Sequence, residues 1–179
     1  MMMFKPPVAV DKESGFTLIE MLIVIIVLGI LAMIIVPQIT VSTEDAKVKT
    51  LQTNLSGIRS ALEIYYAQHN NKYPGQNDTA GVATSVDLTA ATAFVQQLTQ
   101  YTSAIGAVNS SKGTTWPYGP YIRGGALPSN PFTETTTLVA VAATTSIIAT
   151  RTIGGTQAWR VFPATGVIFA NDSTVHAAY

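Results

Sequence analysis

Glu20 is the one charged residue between positions 16 and 36, in the stretch SGFTLIEMLIVIIVLGILAMIIVP. A carboxylate in so apolar a run costs on the order of 3 kcal/mol at a bilayer centre, so its position demands a partner or a polar exit. Other residues able to do chemistry are sparse. There is no cysteine, which excludes a disulfide framework, a thiol nucleophile and cysteine-ligated zinc or iron–sulfur centres. His69 and His176 are far apart in the sequence with few acidic neighbours, and read as exposed polar residues rather than ligands. Gly124-Gly125 and Gly154-Gly155 lack the strand–loop–helix context of a phosphate site and read as turns. The Asn-x-Ser/Thr triplets that begin at Asn54, Asn77, Asn109 and Asn171 are what a chain rich in Ser and Thr yields by chance. No catalytic constellation emerges, and no enzyme is expected.

The elements that must position Glu20 follow from hydropathy. The run from 16 to 36 meets the length of about 20 residues needed to cross a bilayer. It exceeds a signal-peptide core of about 7–15 residues and has no small-residue exit. Lys5 and Lys12 precede it and Glu44 and Asp45 follow, a slight bias favouring the N-terminus inside. Beyond it Val41, Val48, Leu51, Leu55, Ile58, Leu62 and Tyr65 form a stripe, mostly at helical spacings of three and four. This predicts one helix from 16 to about 69, first apolar and then amphipathic, its stripe packed on the chain's own domain. Asp45–Lys49 and Arg59–Glu63 are spaced to pair across one turn. Asn70, Asn71, Lys72 and Tyr73 before Pro74 and Gly75 end the helix.

After residue 73 the text changes to Gly, Pro, Asn and Thr between short apolar runs, the pattern of a loop-rich domain with β-structure. Residues 89–101 predict a short helix. Residues 138–143, 146–151, 158–162 and 167–170 predict strands, with 163–166 as the turn of the last hairpin. The expected class is α+β: a long N-terminal helix, membrane-spanning and then amphipathic, on a small antiparallel sheet. Ten Lys+Arg balance ten Asp+Glu and only 11% of residues are charged, against about 25% in a typical soluble protein. No basic face for nucleic acid is present, and so neutral a surface tolerates packing against copies of itself.

Gly15-Phe16-Thr17-Leu18-Ile19-Glu20 resembles the processing and methylation signature of type IV pilins and type II secretion pseudopilins. The resemblance implies a pilin-like fold and cleavage by prepilin peptidase between Gly15 and Phe16, with N-methylation of Phe16. It also implies self-assembly into a homopolymeric filament driven from an inner-membrane platform. In that family the new α-ammonium, cationic at neutral pH, pairs with the carboxylate at the position of Glu20, each relieving the other's burial cost. The implied topology is a single pass of the inner membrane with an extracytoplasmic head, and a filament in the periplasm or at the cell surface. Residues 1–15 would be the leader, 16–37 the filament-core helix, 38–72 its amphipathic half and 73–179 the head.

Gly29 and Pro37 match positions of helix-weakening glycine and proline in many members. Gly29 costs about 1 kcal/mol against alanine, and Pro37 withholds an N–H from the carbonyl of Met33. The expectation is unwinding of residues 29–37 in the fibre. Tyr65-Tyr66 with Lys72-Tyr73-Pro74, Trp116-Pro117-Tyr118-Gly119-Pro120-Tyr121, and Leu127-Pro128-Ser129-Asn130-Pro131-Phe132 resemble pseudopilin segments more loosely, as proline-fixed loops over the sheet. Two departures stand out. A C-terminal disulfide is impossible, and calcium is doubtful because Asp172 stands nearly alone, so no cofactor is expected. The leading expectation is a secretion pseudopilin. An extended pilus subunit for adhesion, motility or DNA uptake is the close alternative, and a membrane-anchored binding domain or enzyme the distant one.

Overall fold

A computed structural model describes residues 15–83, 87–141 and 156–179. The chain divides into two compact units, residues 1–43 and 44–179. Helix α1 runs over Leu18–Gln68. Within residues 15–33 every side chain is exposed. Leu18 is 89% exposed and Val24, at the low end, still 44%. Among the described residues of this unit, the all-round apolar helix surface has no cover.

Among the described residues no helix is long and apolar enough to cross a membrane. The described side chains of the N-terminal apolar run end at Met33, and residues 18–33 rise only about 24 Å, against an apolar bilayer thickness of about 30 Å. The membrane-spanning helix expected over 16–37 is thereby corrected, and with it the single-pass inner-membrane topology.

In the second unit the expected stripe is the core. Leu51, Leu55, Ile58, Leu62 and Tyr65 are at most 2% exposed, and Val48 is half-buried at its edge. The side chain of Val41 lies outside the described residues. Helix α2 (Asp87–Thr99) places Ala90, Phe94 and Leu98 against that stripe, the four-residue spacing keeping them on one face. Strands β1 (Tyr101–Thr102) and β2 (Val108–Asn109), which the sequence pattern did not predict, pair antiparallel. Strands β3 (Leu138–Ala140), β4 (Trp159–Phe162) and β5 (Val167–Ala170) form a sheet in that order.

The sheet is mixed, not antiparallel as expected. β4 and β5 form the expected hairpin, with Trp159 opposite Ala170 and Phe162 opposite Val167, but β3 lies parallel to β4. A parallel pair needs a crossover of a dozen or more residues, and the chain between β3 and β4 has that length. The strand expected at 146–151 and the turn at Gly154-Gly155 lie outside the described residues. At the β4–β5 turn Gly166 has φ +69°, and an added Cβ would lie 2.4 Å from the Tyr73 ring. Glycine is required there on both counts.

Polar pins fix the second unit's part of α1. Arg59 donates to the carbonyls of Ile168 and Tyr179 at 3.0 and 2.7 Å, rather than pairing with Glu63, which accepts from Tyr73 at 3.4 Å. Lys49 donates to Gln52, not Asp45. The helix ends at Gln68, and Asn70 and Asn71 turn the chain with φ of 53° and 58°. The loop carrying Tyr118 and Tyr121 lies not over the sheet but against the ends of α1 and α2. Tyr121 packs on Tyr65 and donates its backbone N–H to Leu98. The Leu127–Phe132 segment does reach the sheet, where the Trp159 indole N–H donates to the Pro128 carbonyl at 2.9 Å.

Candidate processing and assembly site

Gly15, Phe16 and Glu20 stand at the start of α1. Thr17 is its N-cap: the Met21 N–H donates to the Thr17 carbonyl, the first helical bond. The Thr17 N–H and hydroxyl both donate to Glu20 Oε2, at 2.8 and 2.7 Å, and the Glu20 N–H donates back to the Thr17 hydroxyl at 3.3 Å. This is a reciprocal capping box, which satisfies amide donors that a helix start leaves open. The two Thr17 donors, backbone first, hold the Glu20 carboxyl below its usual value of 4.5.

Thr17 was missed as a site residue. Its signal was legible, because Thr-x-x-Glu before an apolar run is the sequence form of this cap. A partner for Glu20 therefore exists inside the single chain, three residues away. Phe16, 76% exposed, precedes the cap. An added Cβ at Gly15 or Gly29 meets nothing within 4 Å, so no internal packing demands either glycine. α1 continues through Gly29 and Pro37 without interruption.

The histidines are not the exposed residues expected. His69 is 2% exposed, with Nδ1 2.8 Å from the Tyr65 carbonyl and Nε2 2.9 Å from the Thr102 hydroxyl. His176 is half-buried and paired with Asp172, whose other oxygen accepts from Asn130 at 2.7 Å. Both Asp172 oxygens are thus engaged with protein donors. Gly124 and Gly125 are turn glycines with positive φ, as expected.

Residues 11–36 match the family model for the prokaryotic N-terminal methylation motif. The chain is similar to a fimbrial protein of Neisseria meningitidis serogroup B, 42% identical over 76 residues, which is 42% of this chain and 44% of that protein. It is similar to type II secretion system core protein G of Pseudomonas aeruginosa, 41% identical over 63 residues, covering 35% of this chain and 44% of that protein. A type IV major pilin protein of Neisseria gonorrhoeae is 42% identical over 71 residues, 40% of this chain and 42% of that protein. The chain thus spans less than half the length of these curated relatives. No solved structure matches it. Over these stretches the sequence is similar both to fimbrial and type IV pilin proteins and to a type II secretion system core protein, and residues 11–36 carry the N-terminal methylation motif.

Proposed function

We propose that this chain is a structural filament subunit, cut by a prepilin peptidase between Gly15 and Phe16, N-methylated on Phe16 and assembled through α1. The observation that carries the reading is the Gly15–Glu20 motif at the head of a helix whose apolar side chains are exposed throughout residues 18–33. Each Leu, Ile, Val or Met left in water forgoes about 1.5–3 kcal/mol of burial. Packing against the same helix of other copies recovers that energy, and a buried α-ammonium on Phe16 then needs the Glu20 carboxylate.

The finer assignment is a type II secretion pseudopilin acting in a short fibre with the platform proteins of its assembly machine. It rests on the likeness to core protein G and on the Lys72-Tyr73-Pro74 and Trp116–Tyr121 segments. An extended pilus subunit is the second reading, favoured by the equally high identity to the fimbrial protein. Neither reading assigns a reaction, a metal or a nucleic-acid partner to the chain.

The test is the mass of the protein purified from assembled fibres. It should equal residues 16 onward plus one methyl group, and Gly15→Leu should leave the precursor uncut. A peptide spanning an intact Lys12–Phe16 linkage in fibres would overturn the proposal.

A further inference from the structure

His69 closes α1, and its ring is enclosed by three elements. Tyr65 of α1 stacks on it, with centroids 3.7 Å apart and planes 1° from parallel. Thr102 of β1 reaches Nε2. Tyr118 and Tyr121 approach edge-on at 5.2 and 6.1 Å. Thr102 is itself tied to the 116–121 loop, exchanging both backbone hydrogen bonds with Tyr118.

The chemistry of the partners fixes the tautomer. A carbonyl only accepts, so Nδ1 carries the proton and donates to Tyr65. In doing so the ring covers a carbonyl of the helix's last turn, because the His69 N–H points to Tyr66 instead. Nε2 is then the lone-pair nitrogen and accepts the Thr102 hydroxyl proton. We propose that His69 is a proton-operated clasp: its neutral ring holds the end of α1 to β1 and the 116–121 loop, and acidification releases that hold.

A proton on Nε2 turns an acceptor into a donor facing the Thr102 hydroxyl, which must reverse its rotor. It also places a cation among phenol rings. The titratable groups facing the ring are Tyr65 from α1 and Tyr118 and Tyr121 from the loop, with Tyr101 beside Thr102 on β1. Burial pushes the phenols of Tyr65 and Tyr121 up, Tyr121 to about 12, so these supply no anion. On the flanking turns Glu63 accepts from Tyr73, and Lys72 donates to Asn77. Among the described residues no carboxylate is hydrogen-bonded to the ring. The Tyr65 face attracts an imidazolium, but that attraction is smaller than the cost of burying an ion. Burial accordingly pushes His69 down from its usual 6.5, against the opposing pull of its bonds to the Tyr65 and Ser103 backbone.

The sign follows. Below pH 6.5 the unfolded or opened chain takes up a proton that the closed ring refuses, so stability falls as pH drops from there towards the folded value. This inference does not depend on the filament reading.

The experiment uses the full chain in a nonionic detergent, between about pH 7.5 and about pH 5. Exchange of the Thr102 and Tyr118 amides is followed, corrected for intrinsic pH dependence. Wild type should speed up by up to about tenfold for each pH unit below 6.5, until the ring itself takes the proton, while His69→Gln stays flat. The imidazole titration, read by NMR in the unmodified chain, serves if that variant does not fold. A value below 6.5, with amide exchange rising between pH 6.5 and that value and levelling off below it, supports the clasp. An equal acid response in His69→Gln, no acid response in wild type, or a ring titrating at or above 6.5 would overturn it.

Discussion

At the scale of residues, Glu20 has one partner in the single chain and a second in the proposed fibre. In the single chain its Oε2 takes the Thr17 N–H and hydroxyl. In the filament proposed above, the Phe16 ammonium left by cleavage would be a stronger partner, because an ion pair in a dry core is worth far more than a solvated one. The two roles separate by substitution. Glutamine still accepts at the third helical position and keeps the cap, but it carries no charge. Thr17→Ala removes the cap, at about 1 kcal/mol, and leaves the charge. We expect Glu20→Gln and Glu20→Ala to lower filament yield alike, and Thr17→Ala to speed exchange of the Glu20 and Met21 amides with a smaller loss of filaments. Wild-type yield from Glu20→Gln would show that capping, not charge, is what assembly uses.

At the scale of elements, α1 holds two weak points with nothing packed on the first of them. Gly29 costs about 1 kcal/mol and Pro37 about 3 kcal/mol against alanine, yet the helix is unbroken through both. In the single chain the helix runs on past Pro37, whereas in the proposed fibre neighbouring subunits would bring new groups for the freed amides. Unwinding would lengthen the segment from 1.5 Å towards about 3.3 Å per residue. Gly29→Ala combined with Pro37→Ala should therefore change the subunit rise of the fibre or its resistance to shear. A fibre map with continuous helical density over residues 29–37 would reduce Pro37 to a tolerated kink. A different device acts on α2: buried Gln97 accepts from the Gly75 N–H at 2.8 Å and donates to carbonyls of Asn77, Asp78 and Gly106. One side chain thereby satisfies two loops that would otherwise bury bare backbone.

At the scale of the molecule, the two units obey opposite rules. Residues 44–179 bury their apolar face internally, while residues 15–33 expose theirs. Stability of the chain should therefore reside in the second unit and assembly in the first. Leu55→Ala, at a site with no exposure, should cost about 2–5 kcal/mol in urea unfolding of the full chain. Leu22→Ala, at a half-exposed site, should leave that unfolding midpoint unchanged and reduce fibre formation. A shifted midpoint in Leu22→Ala would show that the first unit does contribute to the fold.

What the sequence determined was what short range decides. The stripe from Leu51 to Tyr65, the turn at residues 163–166, the β4–β5 hairpin and the Gly15–Glu20 motif each depend on residues a few positions apart, and periodicity or motif carries them. Even Thr17 was legible by that rule, since its partner is three residues on. Tertiary structure decided everything whose partner is remote. Arg59 left its neighbour Glu63 for carbonyls 109 and 120 positions away, and His69 was enclosed by a threonine 33 positions away. β3 took a parallel place beside β4, an orientation that alternation of apolar residues does not encode. No local pattern ranks such pairings, because their energies come from burial against a core that exists only once the chain has folded.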